Sequence, residues 1–210
     1  MAAPKQILTV GHSTHSFEKL LSLLKAHNVG AVCDVRSTPY SRMNPQFNRE
    51  SFAEQLRENG IAYIYLGTEL GGRTEDPACY EGKRVRYDRL AQKDVFQSGL
   101  QRVIEGSTKY RLCLLCAEKD PLECHRTLLV SRYLGDMGLE VQHILADGGL
   151  ESHASAIERL LQQLKLPSHD LFRTHQDVIQ DAYRAQERVI AHVNESDASS
   201  VLPNTAARPS

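Results

Sequence analysis

Five short apolar runs, each followed by glycine or a polar residue, constrain the fold of this chain more than any other feature. They predict buried strands at residues 6–10, 31–35, 62–66, 112–116 and 141–145. Amphipathic patterns with helical spacing lie between them, at residues 17–27, 49–59, 95–104 and 151–164. This alternation predicts an α/β fold, with a mainly parallel sheet of about five strands and helices on both faces.

The chain divides by composition into three parts. Residues 1–165 carry the alternating pattern and are predicted to form the α/β domain. Residues 166–194 are predicted to form a C-terminal helical extension, periodic from Asp170 to Val193 and packed on the domain or on a partner in a homodimer. Residues 195–210 are small, polar and proline-containing, so we predict that they are disordered. Within the domain, the segment from Thr74 to Arg86 is charged and predicts an irregular loop.

Composition and charge exclude several classes of protein. A net charge of −1 and a pI near 6.8 give no overall basic signal of the kind that nucleic-acid-binding proteins usually carry. The longest apolar runs fall far short of the ~20 residues that cross a bilayer, and the start of the chain does not resemble a signal peptide. We therefore expect a cytoplasmic protein without a membrane partner. In the cytoplasm its 5 cysteines are expected to be reduced. Their odd number also argues against a closed disulfide framework.

Polar residues follow every predicted strand, and in a parallel sheet these positions meet at one edge. Four of them are predicted to be catalytic, because imidazole, carboxylate and thiol groups transfer protons or attack substrates. These are His12, Cys116, Glu118 and His125. Nine more are predicted to bind a ligand, with arginines for an anion and glycines for close backbone approach. These are Ser13, Asp34, Arg36, Ser41, Arg42, Gly71, Gly72, Arg73 and Arg126.

Purely structural roles are alternatives to several of these predicted functions. Asp34 and Arg36 could form an ion pair instead of contacting a ligand, and Arg126 could neutralise Glu118. Cys113 and Cys116 are three residues apart on a strand, so their thiols should point to opposite faces of the sheet. That spacing disfavours a chelating pair.

A metal cluster is a further alternative, because two cysteines and a histidine fall in one short stretch. Cys116, Cys124 and His125 could bind a metal together with Glu118. The stretch superficially resembles a zinc deaminase, but that class has a Pro-Cys-x-x-Cys motif well downstream, which is missing here. We therefore assign no metal ligand and identify no cofactor from the sequence.

Seven ordered motifs resemble the domain-of-unknown-function family numbered 488. They are Gly11-His12-Ser13, Asp34-Val35-Arg36-Ser37, Pro39-x-Ser41-Arg42, Pro45-x-Phe47, Leu70-Gly71-Gly72-Arg73, Cys116-Ala117-Glu118 and Cys124-His125-Arg126. The resemblance extends over roughly residues 7–193 and implies a compact, bacterial-type α/β protein of unassigned activity. The strand-cysteine-loop-arginine-helix layout is also similar to that of rhodanese sulfurtransferases, although the short Cys-x-x-Gly-x-Arg loop of that family is absent.

We expect an enzyme-like protein of hydrolase or transferase type that binds an anionic small molecule, a nucleotide or phosphorylated metabolite, at the carboxyl edge of the sheet. One alternative is a nucleic-acid-binding module, in which several arginines and Lys83 form a basic face and two tyrosines stack on bases. The residues of that face are Arg36, Arg42, Arg49, Arg73, Lys83, Arg84 and Arg86, with Tyr40 and Tyr87. Another alternative is a cysteine- or metal-dependent redox or sulfur-transfer protein.

Overall fold

The computed structural model describes residues 6–167 and 173–194, and it is built around a six-stranded sheet. Its strands are β1 (Gln6–Gly11), β2 (Ala31–Asp34), β3 (Ala62–Tyr65), β6 (Leu112–Cys116), β7 (Glu140–Ile144) and β8 (Leu150–Ser152). A separate hairpin pairs β4 (Tyr80–Glu81) with β5 (Arg84–Val85). The sheet order is β3-β2-β6-β1-β7-β8, and only the β7–β8 pair is antiparallel. The predicted parallel α/β fold is confirmed, and the five predicted strands are correct to within one residue.

The edge strand β8 was not predicted, because the helical pattern of residues 151–164 extends through it. The chain reverses after β7 in a tight turn, in which Gly148 has a φ of +96°. The three residues of β8 then pair with β7 before the helix begins at His153. Three residues are too few for strand periodicity to be distinguished from the start of a helix.

Eight α-helices cover the two faces of the sheet within the described residues. They are α1 (Phe17–Ala26), α2 (Arg49–Glu58), α3 (Gly67–Leu70), α4 (Tyr87–Ala91), α5 (Asp94–Gly106), α6 (Arg132–Asp136), α7 (His153–Gln163) and α8 (His175–Ile190). Short 3₁₀ helices span Pro45–Phe47, Pro77–Cys79 and Pro121–Glu123. None of these described helices has the length and apolarity that crossing a membrane requires.

Two hydrophobic cores lie on opposite faces of the sheet. Helices α1 and α2 pack on one face, and most of the remaining helices pack on the other. Cys113 belongs to the first core and Cys116 to the second, so their thiols lie on opposite faces as the spacing predicted. The two-residue period of the strand separates the thiols, and a Cys113–Cys116 chelating pair is therefore excluded.

The helix after β6 does not begin as a regular α-helix. A π-helix spans Arg126–Ser131 and continues directly into α6. The Ser131 hydroxyl donates to the carbonyl of Arg126 at 2.7 Å, five residues back, which supports the wider turn. Single π turns inside helices occur often at functional sites.

Helix α8 packs on its own chain, which is one of the two arrangements predicted for the extension. A capping box between Thr174 and Asp177 fixes its start. Its apolar residues Val178, Ala182 and Tyr183 are buried. Since this face is already covered, it offers little apolar surface for the predicted homodimer. The predicted helix began at Asp170, but residues 170–172 and the predicted disordered tail from 195 to 210 lie outside the described residues.

The segment between Thr74 and Arg86 is more ordered than predicted. It forms the 3₁₀ helix Pro77–Cys79 and the β4–β5 hairpin, and the end of the extension pairs with this hairpin. The Val85 amide donates to the His192 carbonyl at 3.0 Å, and the Asn194 amide donates to the Lys83 carbonyl at 2.8 Å. The chain beyond α8 is thereby attached to the domain near the carboxyl edge of the sheet.

A chain of buried polar side chains connects the centre of the sheet to α8. Nδ1 of His143 lies 2.8 Å from the Thr9 hydroxyl, and its Nε2 lies 3.3 Å from Nδ1 of His153. Nε2 of His153 in turn lies 2.8 Å from the Tyr183 hydroxyl. Burial, with a smaller contribution from the charge of Arg132, lowers the pKa of His153 to about 4. Burial also lowers the pKa of His143 well below its usual value, with the charge of His153 second.

These histidines predict that the fold loses stability in mild acid. A histidine that is neutral when folded but has a pKa near 6.5 when unfolded destabilises the folded state as the pH falls from 6.5 to about 4. His153 alone should cost about 2 kcal/mol of unfolding free energy at pH 5 relative to pH 7.5. Urea unfolding of His153→Gln should show a correspondingly shallower pH dependence than the wild type.

Tyr183→Phe is the control for this measurement, because it removes the hydroxyl partner but keeps the titrating imidazole. Its unfolding free energy should be lower at every pH, with the slope of the wild type retained. Equal pH slopes for the wild type and His153→Gln would contradict the assignment of acid sensitivity to His153.

Candidate functional site

The candidate site lies at the carboxyl edge of the parallel strands, where their ends are level. Gly11 at the end of β1 is opposite Cys116 at the end of β6, and Asp34 at the end of β2 is opposite Leu115. The segments that follow these strands therefore meet at one edge, as the sequence predicted from a parallel sheet.

A cleft of about 280 Å³ opens at this edge between the strand ends and the C-terminal extension. Its walls contain predicted site residues from three of the strand ends, together with residues that no prediction singled out. The lining residues are Arg36, Ser37, Thr38, Gly72, Arg73, Tyr87, Cys116, Ala117, Glu118, Glu123, His125, Ile190 and His192.

A thiol, an imidazole and a carboxylate lie together on one wall of the cleft, with a second thiol, that of Cys124, behind them. Nδ1 of His125 lies 3.6 Å from Sγ of Cys116 and 4.0 Å from Sγ of Cys124. Sγ of Cys116 also lies 3.3 Å from Oε2 of Glu118. Cys116 and Cys124 are buried, whereas Glu118 is exposed as a whole residue but has its carboxylate partly covered where it contacts Cys116. Of the four residues predicted to be catalytic, Cys116 thus lies within reach of two others, Glu118 and His125.

The loop that carries this cluster is fixed by a short 3₁₀ helix. Asp120 caps its start by accepting from the Leu122 amide at 2.9 Å, and Pro121 occupies the first helical position, where no amide donor is needed. Arg159 of α7 donates two hydrogen bonds to the same Asp120 carboxylate, at 3.0 and 2.9 Å. Cys124 and His125 follow directly and occupy the junction with the π-helix.

The orientation of the His125 ring is determined by its second nitrogen. Nε2 lies 2.9 Å from the carbonyl oxygen of Val35, which can only accept, so Nε2 carries the proton. In the neutral ring Nδ1 therefore presents its lone pair to the thiols. Gly72 packs against the ring, since a Cβ at this position would lie 2.9 Å from Cγ of His125.

The pKa values of the Cys116 and Cys124 thiols are shifted in opposite directions. Burial opposes ionisation of Cys124, but a hydrogen bond from Cys116 and the positive charge of Arg126 outweigh it and lower the pKa of Cys124 well below its usual value. Burial, followed by interaction with the Cys124 thiolate, raises the pKa of Cys116. The strand end, where Cys116 lies, does not carry the lowered pKa. The structure instead places the stabilising amide and guanidinium groups beside Cys124, where the Arg126 amide lies 3.4 Å from the sulfur.

The Cys124 thiolate also shifts the pKa values of its neighbours Glu118 and His125. Burial and the negative charge of Cys124 raise the pKa of Glu118. Burial favours neutral His125, but its hydrogen bond and charge interaction with Cys124 reverse that effect and raise the pKa of the imidazole. A thiolate beside a histidine that holds its proton is an arrangement typical of reactive cysteines.

Asp34 and Arg36 form the ion pair that was the structural alternative for them. Nε and Nη2 of Arg36 donate to the two oxygens of Asp34 at 2.9 and 2.6 Å. Tyr63 and the Arg36 amide donate to the same carboxylate, which is 0% exposed. Asp34 is therefore fully used inside the protein, and only Arg36 reaches the cleft.

His12 lies behind the cleft and contacts Arg36, not the thiols. Its Nε2 accepts from Nη1 of Arg36 at 3.2 Å, and its Nδ1 donates to the Ser13 carbonyl at 2.8 Å. Burial lowers the pKa of His12 to about 4, so the ring is neutral near pH 7. Its geometry suits the positioning of a guanidinium better than the acid–base role predicted from its sequence position.

The remaining predicted ligand-binding residues separate into two groups. Gly72 and Arg73 line the cleft, and the Arg73 amide donates to Ser37 Oγ at 3.1 Å. The others lie outside its lining: Ser13, Ser41, Arg42, Gly71 and Arg126.

Packing and local geometry account for two of these exceptions. Arg126 is 0% exposed and donates to the backbone carbonyls of Glu118 and Lys119, so it neither pairs with the Glu118 carboxylate nor reaches the cleft. Ser41 closes a local turn by accepting from two backbone amides.

Sequence reasoning did not predict the wall opposite the thiols, although Tyr87 was named for a different role, base stacking in the nucleic-acid alternative. Tyr87 begins α4, while Ile190 and His192 come from the end of the extension. Their positions follow from long-range packing of α8 and the hairpin, and no local pattern indicates it. Ser37 and Ala117 belong to the family-like motifs but were not predicted as site residues, and Thr38 was indicated only by its position next to Ser37.

The fold and the site together define the class of this protein. It is an α/β protein with a polar, thiol-containing cleft at the carboxyl edge of its sheet. The sequence model of the family described as Domain of unknown function DUF488 matches residues 16–133, and the chain belongs to that family. Comparison with curated proteins and with solved structures gave no match. The matched segment includes the motifs at Asp34, Gly72, Cys116 and Cys124, whereas the Gly11 motif and α8 lie outside it.

The contact between Gly72 and His125 predicts that replacing this glycine by alanine destabilises the folded protein. In Gly72→Ala the new methyl group would overlap the imidazole, so either the ring or the loop must move. We expect a loss of about 1–3 kcal/mol in unfolding free energy, measured by chemical denaturation.

Gly135→Ala in α6 is the matched control, because no heavy atom lies within 4 Å of its added Cβ. It should be neutral or stabilising by up to about 1 kcal/mol. If Gly72→Ala were as stable as Gly135→Ala, the packing of His125 against residue 72 would be wrong.

Proposed function

We propose that this protein is an enzyme of hydrolase or transferase type that acts on an anionic small molecule in the cleft. The observation that carries the proposal is the meeting of a thiol–imidazole–carboxylate cluster with two arginines. Cys116, Glu118 and His125 supply groups that transfer protons or bind a reacting atom, while Arg36 and Arg73 supply the cations. A cleft of about 280 Å³ suits a metabolite-sized ligand.

Arg36 is suited to hold one end of an anion in a fixed position. Four hydrogen bonds, to Asp34, Phe47 and His12, hold its guanidinium within the described residues. A guanidinium has five N–H donors, so one remains for a ligand. Because the side chain is held before binding, it loses little conformational entropy when the ligand arrives.

Arg73 differs from Arg36 because its side chain is exposed at the mouth of the cleft. Its backbone is fixed by Ser37, but its guanidinium is open to solvent. Such a side chain can close over a bound carboxylate or phosphate with a bidentate contact. The nature of the anion, nucleotide or other phosphorylated metabolite, is part of the proposal.

Several of the groups required for a nucleic-acid surface are engaged elsewhere. Tyr87 is 3% exposed and Arg36 is 6% exposed, so neither can form part of an open stacking face. Arg86 pairs with three carboxylates, those of Glu81, Asp88 and Glu187. We therefore favour a small ligand over a polynucleotide.

Arg73→Ala tests the proposal with a second exposed arginine as its control. Thermal stability should be measured against a panel of nucleotides, phosphorylated metabolites and short nucleic acids, since a ligand that binds only the folded state raises the melting temperature. A small anion should stabilise the wild type and Arg42→Ala equally. Its affinity for Arg73→Ala should fall about 10- to 100-fold, the loss expected for a charged hydrogen bond.

Two results would contradict this assignment. One is equal binding of the small anion by Arg73→Ala and Arg42→Ala. The other is stabilisation by nucleic acid alone, with an affinity that falls steeply as salt is added.

A further inference from the structure

The geometry points to a zinc site formed by Cys116, Cys124 and His125, with its fourth position open to the cleft. Sγ of each cysteine and Nδ1 of the histidine all lie within 4.8 Å of one another. We propose that this site binds Zn²⁺ as an intrinsic property of the folded chain. Its catalytic use, which is to bind a water or a substrate oxygen, rests on the function proposed above.

The spacing of the ligand atoms fits a tetrahedral ion. Zinc lies about 2.3 Å from thiolate sulfur and about 2.0–2.1 Å from imidazole nitrogen, so tetrahedral ligands place sulfur and nitrogen about 3.6 Å apart. Nδ1 of His125 lies 3.6 Å from Sγ of Cys116 and 4.0 Å from Sγ of Cys124. These two sulfur–nitrogen distances therefore match a tetrahedral ion to within a few tenths of an ångström, and the two sulfurs lie within 4.8 Å of each other.

The surroundings of the ligands resemble the outer shell of a metal site. Nε2 of His125 is held by the Val35 carbonyl at 2.9 Å, which directs the lone pair of Nδ1 to the thiols. The Arg126 amide lies 3.4 Å from Sγ of Cys124 and can stabilise a coordinated thiolate. The carbonyl of Cys116 accepts from the His12 amide at 2.9 Å, which fixes the end of β6.

The ligand set favours zinc among the common divalent metals. Two thiolates and a neutral imidazole suit a borderline-soft ion, whereas Mg²⁺ and Ca²⁺ require oxygen ligands. On binding, each thiol that is still protonated and Nδ1 of a protonated His125 release their protons to solvent, and the two thiolate charges balance the two charges of the ion.

The fourth position is what distinguishes this arrangement from a closed structural site. Three protein ligands with one open position are typical of catalytic zinc. Glu118 lies next to the ligands, with its Oε2 3.3 Å from Sγ of Cys116, and it lines the same cleft. This carboxylate can accept a proton from a metal-bound water or complete the coordination shell.

Cobalt titration of the full chain is the direct test, because Co²⁺ reports the number of bound thiolates in its absorption spectrum. The protein should be prepared reduced, metal-free and without a histidine tag. We expect one Co²⁺ per chain, with visible bands of a tetrahedral ion, a near-ultraviolet charge-transfer band for two thiolates, and displacement of Co²⁺ by one equivalent of Zn²⁺.

Cysteine variants locate the site. Cys116→Ser and Cys124→Ser should each weaken Co²⁺ binding at least about 100-fold, which exceeds the 10- to 100-fold cost of losing an outer-shell partner. Cys113→Ala is the matched control, since its sulfur lies on the other face of the same strand, and its cobalt spectrum should equal that of the wild type.

The wild-type spectrum decides the question even if a variant fails to fold. Absence of stoichiometric Co²⁺ binding, or a spectrum without thiolate charge transfer, would overturn the site. Rapid alkylation of Cys116 that Zn²⁺ does not slow would also overturn it and would leave that thiol as a free nucleophile. Arg73-dependent anion binding in a protein that binds no metal would retain the proposed function while removing the zinc.

Discussion

The buried ion pair between Asp34 and Arg36 is the interaction on which the candidate site depends. Removing two charges from water costs several kcal/mol for each ion, and a bidentate geometry with further hydrogen bonds is needed to offset that cost. Here Tyr63 of β3, the Phe47 carbonyl and His12 supply the additional bonds. One ion pair thereby connects the ends of neighbouring strands to two of the loops that follow them. It also fixes the position of Val35, whose carbonyl orients His125.

Prediction from the sequence succeeded where periodicity and topology decide the outcome. The strand bounds, the parallel sheet and the opposite placement of Cys113 and Cys116 all follow from local patterns. Prediction from the sequence failed where a side chain could bind to several different partners. Arg126 has the sequence position of a ligand-binding residue, yet backbone carbonyls of the preceding loop bind it inside the core. The distances among Cys116, Cys124 and His125 could not be foreseen, because they depend on how that loop folds back towards β6.

Glycine residues allow the loop after β6 to pack closely against neighbouring backbone. A Cβ at Gly11 would lie 1.7 Å from the carbonyl oxygen of Glu118, so any side chain there would push the loop away from the end of β1. Gly72 has the same role on the other side, against the His125 ring. The cluster of thiols and imidazole is thus confined between two positions without side chains. Its compactness results from backbone proximity as much as from the chemistry of the side chains it contains.

The C-terminal extension supplies one wall of the cleft, and this has a consequence for how the protein matures during synthesis. A ribosome that has completed β8 and α7 has already made every strand of the sheet, together with both thiols and their histidine. Ile190 and His192 are made only later, as is Val193, which bridges to Arg84. Until then the cleft lacks the wall that these residues supply. The order of translation therefore separates synthesis of the sheet from completion of its cleft.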